Sequence, residues 1–586
     1  MADERLPQER KSGNTFFGGM AILTLGIVVV KLIGMFYKIP LGNIIGEQGY
    51  ADFQNAYNIY AILIAISTTG LPVAVSKMVS EASTLKHHGE VKEIFSVSLK
   101  FFLFLGGISF FIMFFFSEQL AELLNDTHAA PSIRALAPAV VFVSGVAALR
   151  GYFQGQGYMT PTAVSQIIEA LSKLILGLSL AYYFMNQSFT TEDLEEYLGS
   201  EAFQALPTDE IDNTIEGILA SEAAAGAIMG VTVGTAMALG FLVLRFVWGG
   251  GFPRKKKGEM PSSQKEIMGR LLAIAIPITI TSSMSGIITL IDATLVQGQL
   301  QGALGMSENE SRILYGNYAW ALNIYNLPLS LVTAVTISVI PAVTAALAQK
   351  QRKKAAEISI SSLRMTALLA IPMGAGLFVL GEPIIMLLYP NADLQLSGQL
   401  LSSLGFVAPF VCFSLVCTSI MQVYGFFYLP ILITIAGGVI KVIANYILVG
   451  QEGIGIYGAP MGNLFCFSFC FFVSISVLLR VIPGLSRNLS MFIKPLIAAT
   501  VMGGGAWASY GFCSGLMVSS TAFAGETLGS ISGTGNAVCV LLSIVVAVVI
   551  YLSLVLILGA VEESDILMMP KGEKLLRIIQ KKRGRR

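Results

Sequence analysis

Charge is scarce in this chain. Of its 586 residues only 12% are Asp, Glu, Lys or Arg, against 54% hydrophobic, whereas a soluble domain carries about 25% charged residues. With a mean hydropathy of +0.72, that shortage excludes an ordinary soluble fold and points to a polytopic membrane protein. Histidine is scarcer still: His87, His88 and His128 are the only three, they fall in connecting segments, and they form no ligand set, which disfavours a membrane metalloenzyme. The six cysteines, Cys412, Cys417, Cys466, Cys470, Cys513 and Cys539, contain no CxxC pair and read as small core residues. No GxxxxGK[ST] phosphate loop is present, and no extramembrane stretch is large enough to hydrolyse a nucleotide, so transport powered by this chain's own ATPase is excluded. A net charge of +1 gives no ground to expect a nucleic-acid partner. Residues 1–13 are polar and the apolar stretch after them lacks a small-residue cleavage pattern, so the first span is expected to stay attached.

What is present is a series of apolar runs of spanning length, which is about 20 residues. They centre near residues 28, 64, 105, 143, 174, 235, 282, 331, 368, 411, 440, 468, 501 and 547, predicting an all-α integral membrane protein with about fourteen transmembrane helices. An even number puts both termini on one side. Basic clusters fall in the connections after even-numbered spans: Arg254 to Lys257, Lys350 to Lys354, Arg480 with Arg487, and the tail Lys581 to Arg586. The positive-inside rule therefore places both termini in the cytoplasm. The longest opposite connection, Thr190 to Glu216, holds nine acidic residues and no basic one, as a solvated outer loop should. The tail from Gly572 can form a helix with Leu575, Leu576, Ile578 and Ile579 on one face, suited either to an anionic leaflet or to a plain positive stop.

Three segments recur in order. "NIYAILIAISTTGLPVAVSKMVSEAS" from Asn58 parallels "NIYNLPLSLVTAVTISVIPAVTAALAQ" from Asn323. "YMTPTAVSQIIEALSKLI" from Tyr158 parallels "FYLPILITIAGGVIKVI" from Phe427, setting Lys173 opposite Lys441. "AAGAIMGVTVG" from Ala224 parallels "IYGAPMGNLFC" from Ile456. Parallel repeats predict two pseudo-symmetric bundles with a substrate cleft near the midplane. The expected organisation is an N-terminal lobe over 1–248, a basic linker over 249–269, a C-terminal lobe over 270–485, two extra helices over 486–562 and a basic tail over 563–586.

Charges inside spans need a reason, since Lys or Arg at a helix centre costs about 2.5 to 3.5 kcal/mol on insertion scales. Lys31 and Lys38 lie two turns apart on one helix face, Lys31 deep and Lys38 near enough to the outer interface to snorkel. Lys173 and Lys441 each fall about three turns beyond Pro161 and Pro430, the prolines that open their helices, and so near the bilayer middle. Glu169, one turn before Lys173, is placed to neutralise it as a structural ion pair. Asp292 and Asp52 are candidates for pairing with these cations or for holding a cation or proton. Arg150 and Lys77 lie near cytoplasmic helix ends, where an interface anchor competes with a binding role. The deep charge is positive on balance, which suits a phosphate or diphosphate headgroup.

At "YKIPLGNIIGEQGYADFQNAYNIY" (37–60) and "ALRGYFQGQGYMTPTAVSQIIEALSK" (148–173) the chain resembles the polysaccharide and lipid-linked oligosaccharide exporters of the MOP (multidrug/oligosaccharidyl-lipid/polysaccharide) flippase superfamily, most closely the stage V sporulation protein B branch. The resemblance implies a fourteen-helix, two-lobed MATE-like fold that moves an undecaprenyl-diphosphate-linked saccharide, such as the peptidoglycan precursor lipid II, outward by alternating access. It implies central-cavity binding at Lys31, with Lys38, Lys173, Lys441 and Arg150 in support, and an ion-pair or coupling role for Asp52, with Glu169 and Asp292 beside it. Lys38 and Tyr37 depart from the Gram-negative branch, which has an acid and a base there, so headgroup contacts do not transfer directly. No enzyme activity, catalytic residue, metal or cofactor is expected; coupling to Na+, H+ or the membrane potential stays open. Expected partners are the lipid-linked oligosaccharide, membrane lipids and cell-wall synthesis enzymes, with the chain a monomer. Three rivals stay open: a multidrug/cation antiporter of the same superfamily, a membrane-embedded glycosyl- or acyltransferase, and a scaffold for synthesis enzymes.

Overall fold

A computed structural model describes residues 12–64, 70–199, 211–252, 262–426, 428–488, 490–522 and 533–561. The basic cluster Arg254 to Lys257, the basic tail and the middle of the acidic loop lie outside the described residues. Among the described residues all regular structure is helical, and eleven helices are long and apolar enough to cross a membrane.

Contacts divide the chain into two compact units, residues 1–298 with 306–316, and residues 299–305 with 317–586. The first unit thus runs past the expected linker, because Ile267, Leu271 and Ala275 at the start of the helix Gln264–Gly302 are buried in one apolar core with the helices Gly70–Thr84 and His88–Phe115. The chain enters the linker through Phe252, whose ring packs on Phe95, Tyr152 and Phe246 at 5.3, 5.9 and 5.0 Å.

Two features of the first unit position its charges. The helix Ser12–Ile64 breaks at Gly46, where φ is 65° and ψ is −176°, a left-handed conformation that glycine adopts without a Cβ penalty. The long helix Ile211–Trp248 turns a stripe of Gly, Ala and Ser inward, including Gly226, Ala227, Gly230 and Gly234, and such small residues allow backbones to approach closely. It packs against the segment Thr160–Met185, in which a π turn, Lys173–Gly177, interrupts the α-helix.

In the second unit the helices Arg352–Val379 and Leu394–Val423 pack together. Ser490–Ala522 packs on the first of these and pairs with Gly533–Ile557. All six cysteines are buried.

The repeats leave the same mark in each unit taken separately. A Cβ on Gly230 would collide with the backbone of Gly177, four residues after Lys173; a Cβ on Gly462 would collide with the Asn445 side chain, four residues after Lys441. The repeated asparagines both donate to tyrosine hydroxyls, Asn58 to Tyr315 at 3.1 Å and Asn323 to Tyr389 at 3.4 Å. The Pro161 helix carries one residue more than the Pro430 helix before this joint, and a π turn accommodates one extra residue in a helix.

Candidate functional site

In the first unit the residues before Gly46 and after it face each other across an aromatic row. Tyr37 and Phe53 are 6.1 Å apart, Phe53 and Tyr57 4.9 Å, Tyr57 and Tyr60 5.7 Å. Tyr37 donates to the Ala227 carbonyl at 3.4 Å. Lys173, at the start of the π turn, extends into this row: its Nζ donates to the Tyr57 hydroxyl at 2.5 Å and lies 4.9 and 4.6 Å from the Tyr37 and Tyr57 ring centroids. Aromatic faces attract a cation without neutralising it. Lys38 is close enough for its charge to be felt by Lys173.

The local ion pair anticipated for Lys173 is not formed. Glu169 instead meets Arg150 at 3.0 Å, and Arg150 also donates to the Ser165 hydroxyl at 3.0 Å. Arg150 thereby braces the helices Ala130–Gly155 and Thr160–Ser172 and consumes the nearby carboxylate. Among the described residues no carboxylate lies within ion-pairing distance of Lys31, Lys38 or Lys173. Lys38, Lys173, Arg150 and Glu169 thus form one region with a surplus of positive charge.

Three other anticipated residues have surroundings of their own. Lys31 is exposed on the helix Ser12–Ile64, while Lys38 is half-buried, so the two lysines of one face have different surroundings. Asp292 is buried in the helix Gln264–Gly302, near Tyr315. Lys441 is buried in the helix Tyr428–Val449 of the second unit.

Asp52 is fully buried against Arg312, which donates from Nη2 at 2.7 Å and from Nε at 3.0 Å, a bidentate pair. Arg312 also approaches Asp126 at 3.5 Å. Neither Arg312 nor Asp126 was singled out by sequence. The available signal was a lone arginine in an outer connection otherwise poor in Lys and Arg. Among the described residues no three His, Cys, Asp or Glu side chains are grouped to hold a metal ion.

Eleven long apolar helices and lysines within them mark a multi-pass membrane protein. A family model described as "Polysaccharide biosynthesis protein" matches residues 17–205, and one described as "MatE" matches residues 316–447. The lipid II flippase MurJ of Bacillus subtilis (strain 168) is 26% identical over 455 residues, 74% of this chain and 77% of that protein. Stage V sporulation protein B of the same organism is 23% identical over 453 residues, 76% of this chain and 80% of that protein. Among solved structures, a lipid II flippase MurJ in an inward closed conformation superposes with a TM-score of 0.61 at 13% identity, covering 92% of this chain and 98% of the other. An inward-facing multidrug resistance MATE family transporter gives 0.61 at 15% identity, over 80% and 99%. The chain is thus similar over about three quarters of its length to a lipid II flippase, and its fold is like that of MATE family transporters of the MOP superfamily.

Proposed function

We propose that this protein is a flippase that exports an undecaprenyl-diphosphate-linked saccharide, lipid II or a polysaccharide precursor, across the cytoplasmic membrane by alternating access. The observation that carries the reading is Lys173, seated on Tyr37 and Tyr57 with its charge felt at Lys38 and the neighbouring carboxylate of Glu169 paired to Arg150. Two neighbouring ammonium groups attract a ligand with two or more negative charges, and a diphosphate supplies them. A charge-assisted contact of this kind contributes about 1.5–3 kcal/mol. Similarity to a lipid II flippase and to a polysaccharide biosynthesis family supports the lipid-linked class. An antiporter for cationic drugs is disfavoured, because Glu169 and Asp52 are both held by arginines.

In this reading Lys38 and Lys173 bind the diphosphate, Arg150 holds the Glu169 carboxylate in an ion pair of its own, and Lys31, on the same helix as Lys38, supports binding. The chain acts as a transporter, not an enzyme, without a cofactor, as a monomer with both termini in the cytoplasm. Purified protein in liposomes containing lipid II, with a neutral dolichol-like lipid as control, tests it by headgroup exposure on the far side. Translocation of lipid II that falls in Lys173→Ala is expected. Equal rates for both lipids, or full activity in a Lys38→Ala/Lys173→Ala double variant, would overturn the proposal.

A further inference from the structure

The start of the helix Glu308–Ala348 is held to the first unit by a second charged cluster, separate from the lysines. Asp52, Asp126 and Arg312 are all 0% exposed. Arg312 fills both oxygens of Asp52, and its Nη1 donates to the Asn309 side chain at 3.0 Å. Asn55 donates to Asp126 Oδ2 at 2.7 Å and exchanges hydrogen bonds with Gln297 at 3.3 and 3.2 Å. Asp126 Oδ1 accepts no hydrogen bond, although Arg312 Nε stands 3.5 Å away. The backbones are close as well, since a Cβ on Gly316 would collide with the Glu47 carbonyl.

One guanidinium against two carboxylates leaves a net charge of −1 on fully buried side chains. Burial of an uncompensated charge is the condition under which a carboxylate takes up a proton. The other charged or titratable groups facing this cluster do not remove the excess. Glu308 is itself acidic and accepts from the Thr127 N–H and hydroxyl at 2.6 and 2.7 Å. His128 is near the Arg312 guanidinium as well as the Glu308 and Asp126 carboxylates. Tyr315 is a neutral acceptor for Asn58. Asp126, which precedes the span beginning at Thr127, is pushed up to about 7, by burial first and by the Asp52 charge second. Both carboxylates lie against the one guanidinium of Arg312, at 2.7 and 3.5 Å.

We propose that Asp52 and Asp126 form a single-proton site, the proton residing on Asp126 Oδ1 while Arg312 clasps Asp52. The proton makes the cluster neutral and the clasp self-sufficient. Its loss returns an unbalanced charge to a buried site and loosens the start of the helix Glu308–Ala348 from the first unit. Any movement that brings water to Asp126 thereby releases the proton. This assignment does not depend on the nature of the lipid cargo.

Infrared difference spectroscopy of the purified full chain, titrated from acid to alkaline pH without any lipid substrate, tests it. The expected result is a carboxylic-acid carbonyl band that disappears through about pH 7 in the wild type and is absent in Asp126→Asn. Asp52→Asn removes the second charge, so the band should disappear at markedly lower pH. Thermal melting of the same samples gives a second readout: the wild type should lose stability as pH rises through neutrality, while Asp126→Asn should not. A wild type without such a band, or an Asp126→Asn variant that keeps both the band and the pH-dependent melting, overturns the proposal.

Discussion

Arg312 is the residue whose loss should be most costly to the first unit. Arg312→Met keeps length and apolar bulk while removing the guanidinium that touches Asp52 and Asp126. Breaking a buried pair by deleting one partner costs about 3–5 kcal/mol, because the surviving charge is left without compensation. Here two carboxylates survive, with both side chains at 0% exposure, so the upper part of that range is expected near pH 8, where Asp126 is ionised. At pH 5 Asp126 carries its proton and the cost should fall. The triple variant Arg312→Met/Asp52→Asn/Asp126→Asn removes every charge and should recover most of the stability, since replacing a whole buried ionic group is often close to neutral. Unfolding in mixed micelles, followed by circular dichroism for wild type, single and triple variants at both pH values, measures these differences. A single variant that costs less than about 1 kcal/mol, or a triple variant no more stable than the single, would show that the cluster does not hold the unit together.

Lys173→Ala should weaken binding of a diphosphate lipid roughly 10- to 150-fold, equivalent to about 1.5–3 kcal/mol, in a fluorescence-quenching titration against proteoliposomes; unchanged affinity would separate Lys173 from the ligand. Gly230→Ala should destabilise the first unit by about 1–3 kcal/mol through overpacking on Gly177, whereas Gly240→Ala, with open space around its Cβ, should be neutral or stabilising; thermal melts of both variants check the contrast. Asp193, outside the spans, is held below the ordinary carboxylate range by the Thr190 hydroxyl and then by the Thr190 N–H. A depressed acid contributes its stability above the unfolded value and loses it as pH falls through the folded one. The helix Thr191–Leu198 should therefore fray only in strong acid, and Thr190→Ala should move the Asp193 titration upward, read from its carboxyl carbon by NMR.

The membrane class, the parallel repeats and the unusual lysines were legible because they are local or periodic properties: apolar runs, similar segments, and charges where lipid should be. Pro161 and Pro430 in the first turns of their helices follow from the same reasoning. What sequence missed are choices between partners. Glu169 sits one turn from Lys173, and the helix-pair rule favours joining them. Tertiary packing offers Glu169 an arginine from another helix and gives Lys173 two aromatic rings instead. Asp52 was visible as an odd charge, but its partner lies 260 residues away, and no spacing rule reaches that far. The unequal surroundings of Lys31 and Lys38 were equally hidden, since a shared helix face says nothing of which neighbours that face meets.

The joint at Gly230 has a mechanical meaning for the lysine it supports. Side-chain contacts hop between rotamers and can be re-packed, but here backbone rests on backbone, with Gly230 against Gly177. Lys173 stands at the near end of the same five-residue π turn, so its root is held by a hard stop that leaves only the side chain itself to move. The ammonium can therefore sweep an arc between the Tyr37 and Tyr57 rings and an arriving anion while its point of attachment stays put, as a lever turns on a fixed pivot. In the second unit Gly462 meets the Asn445 side chain instead of backbone, so the support near Lys441 is the softer of the two.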